Sequence, residues 1–386
     1  MQLSIIILNY NVRYFLELCI ISVQAAIHNL DAEIIVVDNN SSDESCAMMK
    51  NRFPTIKLIE NKENSGFPKG NNIGVDVAQG DYICILNPDT VVAEDTFEKI
   101  LNSKFCQPTT NNQQPTGIIG CKLIDGIGNF LPESKRGTPT PFVAFTKIFG
   151  LYKISNLFGK YYAQYLSENQ SGKVDILVGA FMVMKRELYQ TVGGFDENCF
   201  MYSDDIDLSY MVAQKGFENY YFHETSVIHY KGESTIKDGT YMKRFQEAMN
   251  FFYKKHFKVS IFFSVFMKIG IVLFSFIKKF QGKSKSKVKP DNYILISENE
   301  TLRQKLENQF QKPVEISDLT KSISKKNNCE IIFDNNYVNF KTIIQLFETN
   351  KNRNFTFKIL PKASDFLIGS NSSNERGDII KIVDFQ

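Results

Sequence analysis

At 386 residues and 43% hydrophobic, the chain is long enough for a substantial core and for more than one domain. A formal net charge of +3 is too small to argue for nucleic acid. Seven scattered cysteines, odd in number and without a C-x-x-C pair, suit a reducing compartment better than a disulfide framework or a structural zinc site.

The N-terminal "MQLSIIILNYNVR" has no basic n-region and no small-residue cleavage site. It reads as a core strand rather than a signal peptide, so a catalytic face in the cytosol is expected. "LSIIIL" (3–8) predicts a strand, roughly 12–28 a helix, and "EIIVVD" (33–38), "TIKLIE" (55–60) and "DYICIL" (81–86) three more strands. Runs apolar on both faces and separated by helices imply a parallel sheet covered on both sides. Two of these strands run straight into turn-forming residues, "DNNSSD" (38–43) and "NPDT" (87–90). Ligands of open α/β sheets bind beyond the carboxyl ends of the strands, which makes these loops the first candidates.

Residues 102–116 are polar and rich in Pro, Gln and Asn, as a loop would be. Strand signals resume in "GIIGCKLI" and "VDILVGAFMVMK", followed by the acidic "FMYSDDIDLSY" (200–210) and by "NYYFHETSVIHYKGEST". Around 259–277 the chain becomes "VSIFFSVFMKIGIVLFSFI", bracketed by lysines, and "KKFQGKSKSKVK" (278–289) reads as a basic linker. From 291 onward a new βα pattern begins: "NYILIS", a helix at 299–309, "CEIIFD", a helix at 338–349, "FTFKIL" and "DFLIGS". The expected organisation is a catalytic α/β domain over 1–255, a membrane-associated helix and linker over 256–289, and a small α/β domain over 290–386.

Asp38, closing a buried strand, can accept from the imide N–H of a pyrimidine base; a plain turn with Asn40 or Ser41 capping the next helix is the alternative. "ENSGFPKGNNIG" (63–74) is not G-x-G-x-x-G, so a hydride-transfer dinucleotide fold has little support. Its Asn64, Asn71 and Asn72 can meet hydroxyls or phosphates, and Gly66 and Gly70 permit close backbone approach; ordinary helix capping is the alternative. Asp89, just past a strand end, can hold a divalent cation against a diphosphate, because hard cations take oxygen ligands. His229 also lies near a strand end, while His223 reads as structural. In the acidic stretch, Ser203 or Asp204 can cap a helix, and Asp204 with Asp207 has the spacing of a capping box. Ile206 and Tyr210, four residues apart, would then face inward.

Six segments in this order resemble family 2 inverting glycosyltransferases of the GT-A fold, most of all bacterial rhamnosyltransferase-like enzymes acting on lipid-linked or cell-wall saccharides. They are "SIIILNYN", "VVDNNSSD", "NSGFPKGNNIG", "LNPDT", "VGAFMVMKRELYQTVGGFDENCFMYSDDIDLSYMVAQKG" and "VIHYKGEST", and the resemblance covers roughly 1–255. It implies a nucleotide-sugar site with Asp38 as the base-recognition carboxylate, Asn9 and Tyr10 beside it, and Asn64, Gly66, Asn71 and Asn87 contributing. Asp89 is similar to the last acid of a D-x-D motif whose first acid is Asn87 here, and His229 to a late histidine that completes a Mg²⁺ or Mn²⁺ site. Asp205 matches the general base, Asp204 would help position the acceptor, and Asp207 is structural.

Such an enzyme would take a sugar from dTDP-rhamnose or a UDP-sugar to a hydroxyl of a polyprenyl-diphosphate-linked or polysaccharide acceptor. An inverting transfer needs one base, and a neighbouring carboxylate raises its proton affinity. In 259–277, Lys268 costs about 2.5–3.5 kcal/mol at a bilayer centre, and Ser260, Ser264, Lys268 and Ser275 form one polar stripe. A helix lying in the membrane interface therefore fits better than a span, which predicts a peripheral enzyme on the cytoplasmic face of the inner membrane. A processive synthase is set aside, because the chain has no tryptophan for a Q-x-x-R-W motif. The non-enzyme rival is an inactive saccharide-binding scaffold of the same fold.

Overall fold

The structure, a computed structural model, describes residues 1–107, 114–140, 142–143, 161–231, 239–257, 290–317, 328–371 and 377–383. The predicted apolar helix at 259–277, the linker at 278–289 and part of the "KGEST" segment lie outside the described residues. No helix among the described residues is long and apolar enough to cross a membrane.

The first ninety residues alternate strands and helices as their sequence patterning predicts. β1 (Leu3–Asn9), α1 (Arg13–Ala26), β2 (Ala32–Asp38), α2 (Ser45–Arg52), β3 (Lys57–Glu60), α3 (Gly66–Asp76) and β4 (Tyr82–Leu86) build four parallel strands in the order β3-β2-β1-β4. Their alternation sorts side chains onto two faces. Ile5, Ile7, Val36 and Cys84 enter one core, while Ile6, Ile35, Val37 and Ile83 enter the other. Burying each such aliphatic side chain is worth about 1.5–3 kcal/mol, so a register slip of one residue would reverse both faces at once.

The chain continues through β5 (Thr90–Val91), α4 (Thr96–Leu101), β6 (Thr116–Ile124), a 3₁₀ turn at Pro132–Ser134, β7 (Gly172–Val174), β8 (Phe181–Lys185), α5 (Arg186–Val192), α6 (Asp204–Gln214), β9 (Glu218–His229) and α7 (Gly239–His256). The sheet grows as β4-β8-β6-β9-β5, with β7 on β9. It is mixed rather than wholly parallel, because β8 runs antiparallel to both β4 and β6. The predicted strand in "VDILVGAFMVMK" is split. Only Phe181–Lys185 extends beside β4; Ile176 bridges to Arg136 instead, and Val178, Gly179 and Ala180 turn to line a cavity.

A second sheet holds β10 (Asn292–Ile296), β11 (Val314–Ser317), β12 (Cys329–Asp334), β13 (Phe355–Leu360), β14 (Phe366–Gly369) and β15 (Asp378–Lys381), with α8 (Glu300–Phe310) and α9 (Phe340–Asn350). Its order is β11-β10-β12-β13-β14-β15, parallel through β13 and antiparallel beyond. One face packs Leu295 and Ile332 on Leu302 and Leu306 of α8. The other face packs Ile294, Phe333 and Phe357 into a core shared with Phe15 and Leu18 of α1, Val91 of β5 and Ile228 of β9. The second unit therefore rests directly on the strand ends that carry Asp89 and His229. Its approach is close: a Cβ on Gly128, whose φ is +84°, would sit 2.0 Å from the Phe347 carbonyl oxygen.

None of the seven cysteines forms a disulfide.

Candidate active site

Beyond the carboxyl ends of β1, β2 and β4 lies a cavity of about 280 Å³. Its lining joins four segments that are far apart in the chain: Tyr10 after β1, Asn39 after β2, Asn87 and Pro88 after β4, and Asp204 with Asp205 at the start of α6. Asn64, Gly66 and Phe67 close one side, and Phe200, Met201 and Tyr202 another. Parallel strands bring their following loops to one edge, so the sheet alone suffices to gather them.

Of the residues singled out by sequence, Tyr10, Asn64, Gly66, Asn87, Asp204 and Asp205 line the cavity. Asp38, Asn9 and Asn71 stand behind its lining and are buried. Asn9 Nδ2 donates to Asp38 Oδ1 at 2.7 Å and to Ser41 Oγ at 3.1 Å, while Asp38 Oδ2 accepts the Ser41 N–H at 2.8 Å. Asp38 is thus the clamp between two loops. Ser41 serves that clamp rather than capping α2, which begins only at Ser45 after Glu44.

The hub of this end is Asn39, which sequence reasoning passed over in favour of its neighbours. Its Nδ2 donates to Asn64 Oδ1 at 3.2 Å and to the Gly66 carbonyl at 3.0 Å, and its Oδ1 accepts from Asn61 Nδ2 and Ser65 Oγ. Gly66 has φ +85°, and a Cβ there would stand 2.8 Å from the Phe200 ring and carbonyl. Asn72 does not face the cavity. It receives Tyr189 Oη and donates to the Phe195 carbonyl and Glu197, tying down the loop before the acidic stretch. Asn71 Nδ2 donates to the Phe67 carbonyl at 2.9 Å, inside α3.

Asp89 and His229 meet behind the cavity wall. β5 and β9 are antiparallel with Thr90 opposite His229, which brings His229 Nε2 to 3.4 Å from Asp89 Oδ1 and from Asn87 Nδ2. Both residues are buried, and His229 Nδ1 has no hydrogen-bond partner among the described residues. Among the described residues no group of three or more His, Cys, Asp or Glu could hold a metal. The pair thus offers one oxygen and one nitrogen donor, which fits a divalent cation whose remaining positions are filled by diphosphate oxygens and water. His223 is structural as expected, its Nδ1 2.8 Å from Ser171 Oγ.

The three acids of α6 have separate fates. Ser203 precedes the helix without a side-chain cap, so the predicted capping box is absent. Asp207, fully buried, instead receives Lys255 Nζ at 2.8 Å and His256 Nε2 at 2.5 Å from α7. Ile206 and Tyr210 pack with Phe252 of α7. Asp205 Oδ2 accepts from Arg136 Nη2 at 2.5 Å and from the Gly179 N–H at 3.1 Å. Burial, then the adjacent Asp205 charge, push the Asp204 carboxyl up to about 7, against the pull of backbone hydrogen bonds and of Arg136. Arg136, 69 residues from Asp205, carried no signal in the sequence.

Residues 4–116 match the family model described as glycosyl transferase family 2. The N-acetylglucosaminyl-diphospho-decaprenol L-rhamnosyltransferase of Mycobacterium tuberculosis is 24% identical over 218 residues, 53% of this chain and 68% of the relative. The GalNAc(5)-diNAcBac-PP-undecaprenol beta-1,3-glucosyltransferase of Campylobacter jejuni is 29% identical over 174 residues, 44% of this chain and 54% of the relative. A solved mannosyltransferase, PcManGT from Pyrobaculum calidifontis in complex with GDP-Man and Mn²⁺, covers 73% of this chain and 76% of its own at 16% identity, with a TM-score of 0.46. Residues 4–116 thus match a glycosyl transferase family 2 domain, and a second α/β sheet follows the sheet that they begin.

Proposed function

We propose that the protein transfers a sugar, with inversion, from a nucleoside-diphosphate donor to a hydroxyl of a polyprenyl-diphosphate-linked saccharide at the cytoplasmic face of the membrane. The observation that carries this reading is that two chemistries line one cavity: the Asn87–Pro88 strand end, with His229 3.4 Å from Asn87 and from Asp89, and the acid pair Asp204–Asp205. The first suits a departing diphosphate, the second a hydroxyl that must lose its proton.

The mammoth part of the barrier in such a transfer is the approach to an oxocarbenium-like centre, which a glycosyl donor reaches only when its leaving group is stabilised. Tyr10 and the Asn39–Asn64 loop hold the nucleotide end, with Asp38 fixing the loop from behind. A Mg²⁺ or Mn²⁺ ion held by Asp89 and His229 would neutralise charge on the diphosphate. One carboxylate of the acid pair accepts the acceptor proton while the aromatic side chains Phe67, Phe200 and Tyr202 narrow access for water. The donor sugar of the mycobacterial relative makes dTDP-rhamnose the first candidate, with UDP-glucose second by the Campylobacter relative.

Purified full-length protein, incubated with each donor and either cation, is expected to release nucleoside diphosphate, and faster when a polyprenyl-diphosphate-linked N-acetylhexosamine is added. Absence of release from both donors, together with saccharide binding, would instead favour the inactive scaffold.

A further inference from the structure

β5 is a two-residue strand at the end of the first sheet, paired with β9 at Thr90–His229 and Val91–Ile228. A pairing this short is marginal in water unless something packs against it. Yet it sets Asp89 beside His229, and the Tyr230 N–H closes it by donating to the Asp89 carbonyl at 3.0 Å. The segment after Asp89 is largely committed to the second unit. Val91 and Ala93 enter the core that holds Phe333, Phe357 and Ile368 of the second sheet, whereas Val92 points the other way, into the core of the first. Glu94 accepts the first two N–H groups of α9, and Asp95 receives Lys341. The end of β9 is pressed from the same side. A Cβ on Gly126 would lie 2.1 Å from the Ser370 carbonyl oxygen and 3.1 Å from the Tyr230 ring.

We infer that the second unit is a working part of the donor site: its docking fixes β5, and Glu94 is the positioning residue through which it holds Asp89 against His229. The inference rests on the transferase reading above and deepens it, giving the 290–386 region a part in donor binding. Domains joined by a small polar contact move relative to one another. Here the contact is a shared apolar core, and it falls on the shortest strand of the first sheet.

Without that contact, β5 keeps its two ladder positions and its packing on Phe15 and Leu18 of α1. Those are too few to hold a carboxylate to a fraction of an ångström, and a misplacement of about 1 Å at a reacting group can slow an enzyme on the order of 10²-fold. A diphosphate contact is made in the ground state and kept in the transition state, so its loosening weakens donor binding more than it slows turnover. The docking has a second fastening that does not touch β5: Lys122 of β6 reaches Glu348 of α9 at 2.9 Å. It offers a way to loosen the unit without altering the segment that follows Asp89.

The test is amide hydrogen exchange, read by NMR on the ligand-free full-length protein, paired with the kinetics of nucleoside-diphosphate release from dTDP-rhamnose and UDP-glucose. Glu94→Ala should speed exchange of the Tyr230 N–H, whose acceptor is the Asp89 carbonyl, and leave the Asn39 N–H, which donates to the Asn9 carbonyl, unchanged. Glu94→Gln keeps one acceptor oxygen and should restore most of the protection. Glu348→Gln should speed the Tyr230 N–H as well, by less. Donor KM should rise on the order of tenfold in Glu94→Ala, with kcat less affected. A Tyr230 amide that exchanges as in the wild type in both Glu94→Ala and Glu348→Gln overturns the inference, whether or not α9 opens. So does an unchanged donor KM in a variant whose Tyr230 amide is faster. If the wild type turns over neither donor, the transferase reading fails, while the exchange still decides whether docking holds β5.

Discussion

Glu94 caps the helix that begins at Phe340. Its carboxylate accepts the backbone N–H groups of Phe340 at 2.7 Å and Lys341 at 2.8 Å, across the boundary between the two sheets. The positive end of a helix macrodipole favours such an anion, and Lys341 adds an ion pair to Asp95 at 2.7 Å. Glu94 follows β5 closely, so the cap fastens the second unit to the segment that carries Asp89.

Glu94→Ala should therefore cost about 1–2 kcal/mol, the range for a lost N-terminal cap. Urea unfolding measures the loss, and hydrogen exchange should rise at the first amides of α9. Unchanged protection there would show that Asn339, which accepts from the Thr342 N–H, caps the helix unaided.

Gly128→Ala tests the docking from the other side. The added Cβ would meet the Phe347 carbonyl at 2.0 Å, and the residue would have to keep φ at +84°. Strain of about 1–3 kcal/mol is expected at such a position. Limited proteolysis should then release the 290–386 region earlier than in the wild type.

Asp207→Asn removes the partner of two side chains at once, the Lys255 ammonium and the His256 ring. Breaking a buried ion pair from one side costs on the order of 3–5 kcal/mol, and the half-exposed part of Lys255 reduces that figure. The midpoint of urea unfolding should fall clearly. Nucleoside-diphosphate release, measured well below that midpoint, should fall far less than in Asp204→Asn.

The raised carboxyl of Asp204 also predicts how stability varies with pH. The folded state keeps that proton up to about 7, whereas the unfolded chain releases it near 3.8, the ordinary value for an aspartate. Between those values the native state binds more protons than the unfolded one, so this group's contribution falls as pH rises through the window and stays low above it. Asp204→Asn lacks that loss. Calorimetry should find the variant more stable than the wild type at pH 8, with the difference shrinking toward pH 4.

The sequence by itself determined the strand–helix alternation of the first ninety residues and the βα pattern after 290, because both-face apolar runs such as "SIIIL" have few other places to go. It also pointed to the loops after β2 and β4, since parallel strands share one carboxyl edge. Tertiary structure decided what spacing could not express. The antiparallel insertion of β8 depends on pairing with β4 and β6, and the commitments of Arg136 to Asp205 and of Lys255 and His256 to Asp207 each join residues 48 or more positions apart. Three neighbouring acids look alike in a chain, where each is surrounded by the same few residues. Buried in a fold, their roles are set by whichever distant side chain or cavity reaches them.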